Sequence, residues 1–137
     1  MKPSTLRPYP LVAFAVAASL AVAAHAATPA ELLAAYSAKA GAAPVPERGQ
    51  KLYTTNFGRE LQLSCSSCHG AVPTQAGKDE VTGKAIEPLA PAFNPKRFTD
   101  SVKVELNFRL NCKDFVGREC SAAEKADVLS WLLTFKP

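Results

Sequence analysis

Two thiols three positions apart, with an imidazole directly after the second, constrain this chain more than anything else in it: Cys65-Ser66-Ser67-Cys68-His69. The spacing is that of a c-type haem attachment motif. On a tight turn each thiol can add to one of two neighbouring vinyl groups, and the following imidazole is carried beneath the ring towards the iron. Cys65 and Cys68 are therefore candidate attachment residues and His69 the candidate fixed iron ligand. Covalent attachment lets a small domain hold a large flat cofactor, and the haem adds apolar bulk to a core that a short chain fills with difficulty. Three other readings fit less well. A structural zinc site takes four ligands, which would draw in Cys112 and Cys120 and leave His69 redundant. A thioredoxin-like pair wants a preceding strand and a βαβ context, and neither is visible. A plain Cys65–Cys68 disulfide gives His69 no part.

The N-terminus reads as a secretory signal. Lys2 and Arg7 make a basic start, residues 11–24 are an apolar run, and Ala24-His25-Ala26 puts small residues where a signal peptidase reads. The run is shorter than the roughly 20 residues a bilayer requires. A signal peptide over 1–26 and a single cytochrome domain over 27–137 are expected, in the periplasm. Cleavage removes two cations and no anion, so the formal charge of +4 falls by two, and two haem propionates would bring it near zero. No basic stripe interleaved with aromatics is present, so nucleic acid is not expected as a partner. Export places the four cysteines in an oxidising compartment, where Cys112 and Cys120 are expected to pair.

The rest of the chain reads as helical. Thr28-Pro29-Ala30-Glu31 is a capping box with proline in the first turn, and the helix it opens should stop before Gly41. A second helix is expected from about Pro46 to Phe57, presenting Leu52, Tyr53 and Phe57. Residues 71–98 carry six Pro and Gly with no sustained apolar period, so a long loop is expected. Leu89, Ala90, Phe93 and Phe98 argue that it wraps something rather than waving in solvent. Asp100 can cap a third helix over 101–111, with Val102, Leu106 and Leu110 on one face. Ser121-Ala122-Ala123-Glu124 opens a terminal helix through Val128, Leu129, Trp131, Leu132 and Phe135. No segment alternates cleanly enough to be a strand. The expected class is all-α, with helices wrapped around one covalently attached haem c.

What the chain lacks is equally informative. Its one methionine is Met1 and its only other histidine is His25, and both fall in the segment read as cleaved. Met and His are the usual second iron ligands of electron carriers. The far side of the iron is thus open, or held by something weak: a Lys amine, a Tyr oxygen, a Cys sulfur or an Asn carbonyl oxygen. Asn56, Asn94, Asn107 and Asn111 are equally eligible by composition.

From Cys65 to the C-terminus the sequence resembles the sphaeroides haem protein family of class I c-type cytochromes. The matching stretches are Thr82-Gly83-Lys84, Ile86-Glu87-Pro88-Leu89-Ala90-Pro91, Asn94-Pro95 and Arg97-Phe98-Thr99-Asp100. They continue through Asn111-Cys112-Lys113-Asp114, Gly117-Arg118-Glu119-Cys120, Ala122-Ala123-Glu124-Lys125 and Trp131-Leu132-Leu133. Residues 28–64 fit more loosely, through Gly49 and Tyr53. The resemblance implies a class I cytochrome c fold, Asn111 as far-side iron ligand and a Cys112–Cys120 disulfide. It further implies that the asparagine leaves on reduction or when oxygen or nitric oxide arrives. A dihaem cytochrome c and a membrane cytochrome b are the implied redox partners, and a monomer is expected. The leading function is then an exported haem protein that accepts electrons and binds a diatomic gas, with turnover of oxygen or nitric oxide left open because no general acid or base stands out. A simple periplasmic electron carrier would ordinarily keep a strong sixth ligand. A gas sensor or carrier without turnover is the remaining alternative.

Overall fold

The computed structural model describes residues 27–58, 60 and 62–137; the signal-peptide reading of 1–26 lies outside the described residues. Thr28 accepts from the backbone N–H of Glu31, and the Glu31 carboxylate reaches back to the Thr28 N–H at 2.7 Å. That reciprocal cap opens helix α1 (Pro29–Ala40), which ends at Gly41 in the left-handed region, φ 64°. Helix α2 (Pro46–Thr54) starts at a proline as expected but stops three residues short of Phe57. The physical reason is local. The hydroxyls of Thr54 and Thr55 bond back to the carbonyls of Gln50 and Lys51, and Asn56 Oδ1 accepts from Gly58 N in an Asx turn. Phe57 is left exposed.

Helix α3 is the short turn Cys65–His69. The long stretch that follows is not wholly irregular: Gly77–Lys78 (β1) pairs antiparallel with Ala85–Ile86 (β2), Gly77 opposite Ile86. This corrects the expectation of no strand, because a two-residue ladder is too short to show alternation. Ala90 and Phe98 are buried and Leu89 packs on the core, whereas Phe93 is exposed. Helix α4 (Ser101–Asn111) is capped by Asp100, whose side chain accepts from Lys103 N at 3.0 Å. It passes into one π-helical turn, Cys112–Val116, closed at Gly117 with φ 84°. Helix α5 (Ala122–Leu132) has the Ser121/Glu124 capping box in place.

Helix α5 is the axis of the fold. Both α1 and α2 pack against it, and it is buried from Ala126 to Leu132. Leu32 and Tyr36 of α1, Tyr53 of α2, Phe98, and Val104 of α4 complete the core. The α2–α5 crossing is close enough that a Cβ on Gly49 would lie 2.1 Å from the Asp127 carbonyl oxygen. The orientation of α4 departs from the expectation. Val102, Leu106 and Leu110 share a face, but it is the outward one, at 78, 42 and 49% exposure. The inward face carries Val104, Asn107, Phe108 and Asn111, and it looks onto a cavity. Among the described residues, no helix is long and apolar enough to cross a membrane.

Candidate cofactor site

The cavity holds about 490 Å³, within the range of small-molecule and cofactor sites. Helix α4 walls one side, with Leu52 and Tyr53 of α2, His69 of α3, Ile86 and Leu89 of the long loop, and Leu132 of α5 on the others.

The α3 turn is pinned from three directions. Both serines between the cysteines are used: Ser67 Oγ accepts from the Ser64 N–H at 3.0 Å, and Ser66 Oγ shares a 2.7 Å hydrogen bond with Ser64 Oγ. Gly70, at φ 77°, lets the chain leave the turn, and the Tyr53 hydroxyl donates to its carbonyl at 2.6 Å. Tyr53 in turn packs on Trp131, ring centroids 4.8 Å apart, so the α2–α5 core fixes the turn. Strand β1 then crosses directly over it: a Cβ on Gly77 would fall 2.0 Å from the Cys68 carbonyl oxygen.

Cys65 and Cys68 are free thiols, both partly buried. Burial first, and then the neighbouring Cys68, raise the Cys65 pKa to about 11, against a smaller backbone hydrogen-bonding effect, so Cys65 is a thiol rather than a thiolate at neutral pH. His69 lines the cavity, and its buried Nδ1 has no hydrogen-bond partner among the described residues. Burial, and secondarily the positive Arg97, lower its pKa and favour the neutral imidazole that a metal requires. Two free thiols on one turn, an imidazole beside them and an apolar-walled cavity beyond fit a covalently attached haem. The zinc reading fails, since Cys112 and Cys120 are bonded to each other, Cα atoms 5.7 Å apart, and the described residues gather no cluster of three or more His, Cys, Asp or Glu side chains that could hold a metal ion.

Asn111 is the last residue of α4, at the junction with the π turn, and faces the cavity. The structure also sorts the four asparagines. Asn56 is away from the cavity and bonded within its loop, Nδ2 to the Gln62 carbonyl and Oδ1 from Gly58 N. Asn94 lines the cavity, but its amide oxygen accepts from Lys96 N and its nitrogen donates to the Pro88 carbonyl. Asn107 and Asn111, one helical turn apart, are the two on the cavity wall whose side-chain amides have no hydrogen-bond partner among the described residues.

Sequence reasoning missed two participants. Arg97 stands out in the sequence only as part of the matching stretch Arg97-Phe98-Thr99-Asp100. It is partly buried on the cavity wall, its guanidinium donating to the carbonyls of Pro88 at 3.0 Å and Glu87 at 2.7 Å. Asp127 went unremarked within an apolar helix; it is 4% exposed and accepts from Val45 N and from Arg48. Neither leaves a local signal, because the partners lie far along the chain or are backbone groups.

The family described as Domain of unknown function (DUF1924) matches residues 39–132. Cytochrome c-type protein SHP of Cereibacter sphaeroides is 49% identical over 107 residues, covering 77% of this chain and 82% of that protein. Cytochrome c'' of Methylophilus methylotrophus is 49% identical over 82 residues, 60% of this chain and 56% of that protein. The solved structure of oxidized SHP, described as an oxygen-binding cytochrome c, matches with a TM-score of 0.74 at 46% identity, covering 79% of this chain and 97% of that one. Oxidized cytochrome c'' matches with a TM-score of 0.73 at 38% identity, covering 80% and 95%. The fold is accordingly that of a class I cytochrome c, and the cofactor is one covalently bound haem c. With a family match across most of its length and close identity to SHP, this chain belongs to the sphaeroides haem protein family of c-type cytochromes.

Proposed function

We propose that this cytochrome is exported to the periplasm, accepts electrons there, and binds a small diatomic ligand at a site that a weak protein ligand vacates. Cys65 and Cys68 would attach the haem through their sulfurs, and His69 would hold its iron. Asn111, on the cavity wall beside the Cys112–Cys120 bridge, would supply a second, displaceable donor through its amide oxygen. When bound, the haem supplies an iron centre that can change charge and take an exogenous ligand. An amide oxygen is a neutral, hard donor, better suited to ferric than to ferrous iron, so reduction favours its departure.

The observation that carries this reading is the sorting of donors. Besides His69, the described residues contain no other histidine and no methionine, and of the four asparagines only Asn107 and Asn111 present uncommitted amides to the cavity. The relative SHP is described as oxygen-binding, and the solution structure of cytochrome c'' is described in terms of haem-ligand detachment; both agree with a labile far-side ligand. A dihaem cytochrome c and a membrane cytochrome b are the proposed electron-transfer partners, with oxygen or nitric oxide as the small ligand.

Visible spectra of the holoprotein, ferric and ferrous, with and without nitric oxide, test the proposal. A high-spin ferrous spectrum that changes promptly with the gas is expected. A low-spin ferrous spectrum indifferent to it would replace this reading with a simple electron carrier. Magnetic resonance of the ferric form tests the ligand separately: a lysine nitrogen, from Lys96 or Lys103 on the cavity wall, would remove Asn111 from the role.

A further inference from the structure

The inward face of α4 carries Val104, Asn107, Phe108 and Asn111 at helical spacing, with the exposed Lys103 beside them on the cavity wall. Two are apolar and close the wall, Val104 buried and Phe108 partly so. Two are amides. If Asn111 is the displaceable ligand, Asn107 is a second amide one turn earlier on the same wall, where residues four apart have Cβ atoms about 5–6 Å from each other. Side chains on a helix lean towards its N-terminus, so the Asn111 amide is directed back over the turn that carries Asn107. The Asn107 side chain has no hydrogen-bond partner among the described residues, unlike those of Asn56 and Asn94, which are tied into their own loops.

We infer that Asn107 is a specificity-determining residue of the gas site, donating a hydrogen bond from Nδ2 to the diatomic ligand that replaces Asn111. The inference rests on the proposed open-site function. Its chemistry is general. A side-chain amide carries two N–H donors, and donors in the distal pocket govern which diatomic a haem holds. Oxygen gains negative charge at its far atom on binding to ferrous haem and rewards a donor there, whereas carbon monoxide gains little. Asn107 thus favours oxygen over carbon monoxide, a distinction that its apolar neighbours on the wall, Val104 and Phe108, cannot make. Asn107 sits on a regular helical turn, whereas Asn111 stands where α4 passes into the π turn.

The test compares ferrous holoprotein of the wild type with N107L, N107A and N107Q, reading oxygen and carbon monoxide dissociation rates and the infrared C–O stretch of the carbon monoxide adduct. Removing one neutral hydrogen bond is worth about tenfold in an equilibrium. N107L is expected to release oxygen about tenfold faster with carbon monoxide release little changed, and to move the C–O stretch to higher wavenumber. N107Q, which keeps the donor, should stay near the wild type in both. N107A removes the donor without adding bulk and stands in if N107L does not take up haem. Variants N107L or N107A that hold oxygen as the wild type does, with an unmoved C–O stretch, would overturn the assignment. A wild type that takes up neither gas would overturn the open-site reading and Asn107's role together, so the two failures are told apart by the wild-type measurement.

Discussion

Gly77 and Asp127 are the residues whose tolerances are most narrowly set. At Gly77 a single methyl group would collide with the Cys68 carbonyl and lie 2.9 Å from the His69 Cα, so G77A must push β1 off the haem-binding turn. Thermal unfolding of G77A is expected to show a loss of about 1–3 kcal/mol, the cost of overpacking, together with poorer haem incorporation. Asp127 is a buried carboxylate satisfied by three donors: Val45 N at 2.6 Å, Arg48 Nε at 2.7 Å and the second Arg48 nitrogen at 3.0 Å. D127A strands the Val45 N–H at the start of α2, and denaturant titration should find about 1–3 kcal/mol lost. R48A should cost less, because the Arg48 side chain is 56% exposed and exposed pairs contribute little. Gly77 reveals nothing special as a letter in the sequence; its role depends on backbone that approaches from elsewhere.

The start of α5 concentrates several local devices into one element. Ser121 caps the helix, Glu124 returns to the Ser121 N–H at 2.8 Å, and Arg118 grips the same carboxylate with both terminal nitrogens at 2.8 and 2.6 Å. Arg118 lies inside the loop closed by the Cys112–Cys120 disulfide, so this network couples the π turn after Asn111 to the central helix. S121A is expected to lose about 1 kcal/mol, and reducing the disulfide a further 2–3 kcal/mol or so, both read from unfolding midpoints. The pH dependence has a definite sign. Arg118, and then the Ser121 backbone, hold the Glu124 pKa below its ordinary value against the opposing effect of burial. The carboxylate therefore stabilises the fold fully above the unfolded glutamate value, and that contribution disappears as pH falls through it towards the lowered native one. Acid titration of the wild type should show this loss, and E124Q should flatten it. Helices α1 and α5 were legible in the sequence because their caps are written within four residues. The end of α2 was not, since competing hydroxyls of Thr54 and Thr55 break it where the apolar spacing would continue.

Across the whole molecule two kinds of packing are joined. Helices α1, α2 and α5 form a core of their own, with Tyr53, Leu129 and Leu132 almost wholly enclosed. Helix α4 meets that core through Val104 and Phe108 and through Lys125, whose ammonium pairs with Glu105 at 2.6 Å and lies over the Tyr36 and Phe108 rings. Its inward face otherwise looks onto the cavity. A haem-free chain should therefore keep amide protection in α1, α2 and α5 but lose it in α4, a pattern hydrogen exchange can read. The sequence by itself determined the covalent chemistry of the cofactor and the starts of the capped helices, because each is carried by adjacent residues. The tertiary structure decided which side of α4 faces inward. Val102, Leu106 and Leu110 form the better apolar stripe by spacing yet face solvent, because a cofactor wall mixes apolar residues with asparagines and so blurs the period that marks an ordinary core. It also narrowed four equivalent asparagines to two, since whether an amide is free depends on carbonyls such as those of Gln62 and Pro88 that the fold alone brings within reach.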